Sequence, residues 1–278
     1  MGRWVLEVLE QRPAERTDRV MRARAATASL AVAGGDRIVA EEESVVRLDE
    51  AGDAKWRHPC ASRPRTAHVS GDRLLLLTDS REYHAWGHLG PALLLDLADG
   101  RLVAELRGES GASLGGGRFV LGLEGYGTFD TWLHERDGSL TTTWRSYGHY
   151  VPDPDGSGVR VVERDRRIPS RSRVVRLLPD GGIERGPRLS DGQAPAPVVL
   201  PDGTLVVLDA GVLRAVDRGL DDRELASLLP VPPGEAWRFR GELTLDGGTL
   251  TVTVEERDAE DPTVTTRRTW TLAVSARR

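Results

Sequence analysis

Histidine, tyrosine and tryptophan crowd into a few short stretches, and these are the places where chemistry could be done. One stretch reads Asp79-Ser80-Arg81-Glu82-Tyr83-His84-Ala85-Trp86-Gly87-His88-Leu89-Gly90-Pro91. A second reads Ser146-Tyr147-Gly148-His149-Tyr150-Val151-Pro152-Asp153. Two shorter ones carry Gly125-Tyr126-Gly127-Thr128 and His58-Pro59-Cys60. Together they hold all four tyrosines and four of the six histidines (His58, His84, His88 and His149). Aromatic side chains interleaved with glycine compose ligand pockets and contact hot spots. The same residues would also serve to pack long loops down as a small satellite core. Histidine titrates near neutral pH, so His84 or His149 could act as general acid or base, with Tyr83, Tyr147 or Tyr150 orienting a substrate.

Other chemistries find less support. His84 and His88 are four apart, a spacing that shares one face of a helix. With His149 they would make the three nitrogen ligands of a catalytic zinc. Gly87 and Pro91 make the stretch a loop, however, and nothing in the spacing fixes a coordination geometry, so no metal is expected. Cys60 is the only cysteine, which leaves no disulfide and no cysteine cage. There is no Gly-x-Ser-x-Gly elbow. The run Leu114-Gly115-Gly116-Gly117 opens no helix that could offer its N-terminus to a phosphate. Lys55 is the single lysine, so Schiff-base chemistry is disfavoured, and no cofactor is expected.

Charge narrows the partners. The net charge is −5 and 29% of residues are charged, which argues against a general nucleic-acid binder. Basic charge is almost all arginine, as a GC-rich bacterial genome would give, so arginine counts only where it clusters. It clusters at Arg166, Arg167 and Arg171, around Ile168-Pro169-Ser170. Acids gather instead at Glu41-Glu42-Glu43 and at Glu255, Glu256, Asp258, Glu260 and Asp261. Two such rims would steer a partner more than they would add affinity. No run approaches the ~20 apolar residues of a membrane span. The N-terminus lacks the apolar segment of a secretory signal, and the chain has no asparagine to glycosylate. A cytoplasmic protein, without membrane contact and monomeric, is expected.

The elements that must position these residues announce themselves by repetition. A tight turn carrying Gly or Asp precedes a β-rich run at Gly35-Asp36, Gly71-Asp72, Gly116-Gly117, Ser157-Gly158, Asp202-Gly203 and Gly247-Gly248. Taken at positions 36, 72, 117, 158, 203 and 248, the spacings are 36, 45, 41, 45 and 45 residues, in the range of roughly 40–50 residues per propeller blade. A second turn, such as Asp99-Gly100 or Asp137-Gly138, falls between successive copies. Each unit therefore reads as four strands, a to d, joined by tight hairpins. Helical periodicity is nearly absent; Asp221–Leu229 fits either a short helical turn or a strand d. The spacing predicts an all-β, six-bladed propeller of four-stranded antiparallel blades over 27–58, 66–107, 112–146, 149–187, 195–229 and 238–274. The last blade lacks a fourth strand, and Arg3–Glu10 is an orphan strand at the other end. Pairing it with Thr269–Val274 would close the ring and remove the sheet edges.

The units also resemble known repeats. Gly35–Arg57, with Val46-Arg47-Leu48-Asp49, Gly52 and Trp56, is similar to a quinoprotein-type (PQQ-like) blade. Leu93–Leu106 resembles the same module and WD-like blades. The Gly-His and Trp-Asp signature of true WD40 repeats is missing, so the resemblance implies a fold and no activity.

In a propeller the a–b and c–d turns leave one face, and the b–c and d–a loops leave the other. The aromatic stretches all fall in the second set. The expected function is a binding or scaffold propeller that holds a protein segment or a small ligand on this b–c/d–a face. Tyr83, His84, Trp86, His88, Tyr126, Tyr147, His149, Tyr150, Arg166, Arg167 and Arg171 are the candidate contacts. The alternative is an enzyme, a hydrolase, lyase or cyclase, using His84 and His149 on the same face.

Overall fold

The computed structural model describes residues 3–18, 29–32, 35–125, 127–153, 155–164, 172–190, 194–232, 235, 238–261 and 263–277. Among them there are six four-stranded antiparallel sheets in chain order and no α-helix, hence none long and apolar enough to cross a membrane. The first sheet takes Ser29–Ala31, Arg37–Ala40, Ser44–Leu48 and Ala54–Pro59; the second takes Arg63–Ser70, Arg73–His84, Gly87–Asp96 and Leu102–Leu106. The third runs from Ser110 to Trp144, the fourth from Gly148 to Leu189, and the fifth from Val198 to Ser227. The sixth combines Phe239–Asp246, Thr249–Arg257 and Val264–Arg277 with the N-terminal strand Arg3–Asp18.

The chain divides into two compact units. One comprises residues 23–159 and 177–182; the other comprises 1–22, 160–176 and 183–278.

In the first unit the run Leu74-Leu75-Leu76-Leu77 shows why a strand can be apolar throughout. All four side chains are buried. Because side chains alternate across a strand, Leu74 and Leu76 join Ile38, Val45 and Trp56 of the first sheet. Leu75 and Leu77 join Phe119 and Leu121 of the third. A sheet covered on both faces loses the apolar–polar alternation that a half-exposed sheet shows. The turns that launch these strands need positive φ, which Gly71 (55°) and Gly117 (86°) supply. At the c–d end of the first sheet, the nearly inaccessible Asp36 takes 2.9 Å bonds on both oxygens from Lys55 and a 2.7 Å bond from Arg47 Nε.

In the second unit the N-terminal strand pairs antiparallel with Val264–Arg277, Leu6 facing Val274 and Arg12 facing Thr269. The pairing extends eight residues past Glu10, to Asp18, with register shifts between Val8 and Glu10 and between Arg12 and Glu15. Trp4 Nε1 donates to Asp202 Oδ2 at 2.7 Å and Trp4 O accepts from Arg223 at 3.2 Å, which stitches the strand to the fifth sheet. Asp222–Ser227, within the segment that fitted either a helical turn or a strand, is a strand. Val206, Leu208 and Leu213 of the fifth sheet share a core with Leu250, Val252 and Trp270 of the sixth.

Two of the expected loops are strands. The second sheet's hairpin keeps extended backbone to His84 and resumes at Gly87, leaving Ala85-Trp86 as the turn. Asp79 faces Leu89 and His84 faces Gly87, so three more residues lie on the outgoing side than on the returning one, and the ladder bulges there. In the other stretch, Gly148–Pro152 is the first strand of the fourth sheet. It pairs with the next strand of that sheet, and Tyr147 and Tyr150 pack against Phe129 and Gly122 of the third.

Candidate functional site

The side chains with chemical potential separate into a buried network and an open cleft, both in the unit containing residues 23–159.

The network is built on two tyrosines. Tyr150 Oη lies 2.7 Å from Thr131 Oγ1, and that hydroxyl donates to Ser146 O, so Tyr150 is the donor to Thr131. Tyr147 Oη donates to Glu109 Oε2 at 3.2 Å and lies 3.2 Å from Ser110 Oγ. The Tyr147 ring meets Phe129 and Tyr150 edge-on, with centroids 6.1 and 6.2 Å away. Gly122 makes room for this packing: a Cβ there would stand 1.6 Å from Tyr150 Oη. Burial, with the Glu109 carboxylate adding to it, pushes the Tyr147 phenol up to about 12, and burial raises Tyr150 as well. Both phenols therefore keep their protons at neutral pH and act there as hydrogen-bond donors. His149, between them, is exposed.

The cleft has a volume of about 770 Å³, within the usual size range of ligand sites. Three successive sheets line it. The first gives Glu42 from its b–c turn; the second gives Arg63 and Arg65 from its opening strand and Asp79, Ser80, Arg81, Trp86, His88 and Leu89 from its long hairpin. Glu109 comes from the connection into the third sheet, and Leu123, Glu124 and Gly125 from the end of that sheet's second strand. Every one of these segments lies at the b–c and d–a ends of its strands.

The hairpin is fastened on both sides. Arg81 donates to Glu42 O at 3.2 Å and to Ala61 O at 3.3 Å, and pairs with Glu43 at 3.3 Å. On the other side Arg107 lies 4.2 Å over the Trp86 ring, a cation–π contact. The same ring comes within 3.4 Å of where a Cβ on Gly125 would sit. Below the hairpin, Arg65 Nε pairs with Asp79 Oδ1 at 3.1 Å while its Nη2 donates to Glu109 O. Glu109 thus touches both the cleft and the buried Tyr147.

The hairpin histidines are occupied by their own backbone. His84 Nδ1 accepts the Trp86 N–H at 3.1 Å, so Nε2 carries the proton and donates to Leu89 O at 2.7 Å. His88 Nδ1 donates to Ser80 O at 3.2 Å, and its ring meets Tyr83 edge-on at 5.5 Å. Tyr83 itself is 77% exposed. Of the sequence candidates, then, Trp86 and His88 line the cleft and Tyr147 reaches it through Glu109, while Tyr150 packs against Tyr147 and Gly122. Tyr126, Arg166, Arg167 and Arg171 lie outside the described residues. Among those described, no group of three or more His, Cys, Asp and Glu side chains is placed to hold a metal ion.

Sequence reasoning missed Arg63, Arg65, Glu109 and Glu124. Arg63 and Arg65 flank Pro64 at the start of a strand, but arginine is so common in this chain that the pair carried no signal. His68, on the same strand, was also passed over. Burial and then the charge of Arg65 push its imidazole down to about 4, so it is neutral under ordinary conditions.

No protein-family model and no curated protein sequence matches the chain. Solved structures do. Hsv2 from Kluyveromyces lactis superposes with a TM-score of 0.53 at 10% identity, over 90% of this chain and 84% of that one. The extracellular domain of the putative one-component system BT4673 from B. thetaiotaomicron gives 0.51 at 11% identity, over 89% of this chain and 40% of that one. The Pan2 WD40 domain from Neurospora crassa gives 0.48 at 12% identity, over 87% and 74%. At these identities the likeness concerns the fold alone. The chain's six four-stranded antiparallel sheets agree with a six-bladed β-propeller.

Proposed function

We propose that the protein is a binding propeller that holds a protein segment or small ligand in the cleft on its b–c/d–a face, with the ring closed by Arg3–Glu10. The observation that carries this reading is the convergence of three successive sheets on one cleft with an aromatic wall and paired charges. The bulged hairpin supports it, because it is fastened to its neighbours by Arg81 and Trp86 and so presents a formed surface. Preformed sites lose less entropy on binding. The enzyme alternative rests on His84 and His149. His84 has both ring nitrogens in hydrogen bonds of its own hairpin, and His149 stands beside phenols that burial keeps protonated.

The test is a parallel screen of a displayed random-peptide library and a small-molecule fragment library on the full chain. Trp86→Ala serves as the comparison. Binders that lose roughly tenfold or more in affinity for Trp86→Ala are expected, since aromatic anchors dominate such contacts. Binders that hold the variant as tightly as the parent, or no binders from either library, would overturn the assignment of the cleft.

A further inference from the structure

We infer that the occupant of the cleft is an extended peptide that brings a carboxylate to Arg63 and an apolar side chain to the wall of Trp86, Leu89 and Leu123. This rests on the cleft being the binding site. Most of the charges in the cleft already have partners. Arg65 is held by Asp79 and the Glu109 carbonyl. Arg81 is held by Glu43 and two backbone carbonyls. Glu109 accepts from Tyr147. Arg63 is different. It is half-buried, lines the cleft, and among the described residues has no ion pair and no side-chain hydrogen bond.

The register explains why. Asp79 is the residue directly facing Arg63 in the strand ladder, but the ladder slips between Pro64 and Thr66. Arg65 is thereby an extra residue on its strand, and the Asp79 carboxylate goes to Arg65. A bulge re-aims side chains in this way. Here it leaves Arg63 without the partner its position would otherwise give it. A guanidinium drawn partly out of water is completed by an anion, and its planar fork fits a carboxylate.

The surroundings select the kind of anion. Glu42, Asp79, Glu109 and Glu124 also line the cleft, so a phosphate dianion would meet about twice the repulsion that a singly charged carboxylate meets beside Arg63. Trp86, Leu89 and Leu123 offer an apolar wall that an inorganic anion would leave unused. The lining comes from three sheets, which suits a ligand with a carboxylate and an apolar group some residues apart. That carboxylate can belong to an Asp or Glu side chain or to a chain terminus.

The experiment pans two random-peptide libraries against the full chain, one fused through its C-terminus so that only side-chain carboxylates are present, the other ending in a free carboxyl group. Arg63→Gln, Arg63→Lys and Trp86→Ala are panned beside the parent. Enriched peptides are expected to carry an Asp or Glu, or a free terminus, together with an apolar residue. Which library enriches identifies the source of the carboxylate. The consensus peptide, made synthetically, should lose about tenfold or more in affinity for Arg63→Gln, the factor that a charge-assisted hydrogen bond carries. Arg63→Lys should recover part of it, and both variants should melt with the parent. Peptides that enrich and depend on Trp86 but carry no carboxylate, or ignore Arg63, overturn this inference and leave the cleft standing as the site. Peptides indifferent to Trp86, or no enrichment, overturn both.

Discussion

The hairpin at residues 79–91 and the strand at Gly148–Pro152 began as similar stretches, each with Tyr, His and Gly in close succession, and the structure uses them in opposite ways. In the hairpin Tyr83 stands in solvent and the histidines bond to their own backbone. At the strand, Tyr147 just before it and Tyr150 within it pass inward, and their hydroxyls are taken by Glu109 and Thr131. The difference lies in what faces each stretch. Tyr150 meets Gly122, a residue with no side chain, and the space that Gly122 leaves is filled by the phenol. The hairpin is held to its neighbours through Asp79, Arg81 and Trp86, and Tyr83 near its tip is left outside that packing. Residue type set the potential of both stretches, and the opposing surface decided its use.

The comparison can be broken most severely at Gly122. A methyl group there overlaps Tyr150 Oη, so Gly122→Ala should cost about 3 kcal/mol of stability, at the upper end of overpacking. Urea unfolding would show it, and a cost below about 1 kcal/mol would mean that the tyrosines are free to move aside. A second, somewhat smaller effect follows from pH. The Tyr147 phenol is raised to about 12 from an ordinary 10.0, so the fold favours its protonated form. Its contribution is complete below pH 10 and is lost as the pH rises from about 10 to 12, because the unfolded chain gives up that proton first. This one group would account for about 2–3 kcal/mol of the fall. Tyr147→Phe should flatten the stability curve over that window, and an unchanged curve would place the ring outside the core. The smallest effect belongs to the hairpin: Tyr83→Ala should change stability by less than about 0.5 kcal/mol.

Much of the architecture was legible because it is local. A turn residue and the strand after it are adjacent in sequence, so Gly71 and Gly117 announce their hairpins without reference to anything distant. The orphan N-terminal strand and the incomplete last sheet were readable as complements. Its full pairing to Asp18 was not, since Arg12-Pro13-Ala14-Glu15 breaks the alternation at a bulge. The site was legible only in part. The aromatic stretches pointed to the b–c and d–a ends of the strands, where the cleft also lies, because unusual composition is itself a local signal. The fate of Tyr150 depends on Gly122, 28 residues earlier, and nothing in either residue names the other. The unshared Arg63 depends on a slip in ladder register, which composition does not encode. Arg166, Arg167 and Arg171, the most conspicuous charge cluster in the sequence, lie outside the described residues.

The single lysine has a practical consequence. Lys55 is partly accessible, with 46% of its side chain exposed, although its ammonium is bound to Asp36. It sits beside the c–d turn of the first sheet, at the other end of the strands from the cleft. Apart from the chain's α-amino group it is the only primary amine. A support or dye attached through an amide bond would therefore be held away from the cleft. Acylating Lys55 would also leave Asp36 to Arg47 alone, so a small loss of thermal stability on labelling would report that the amine had reacted.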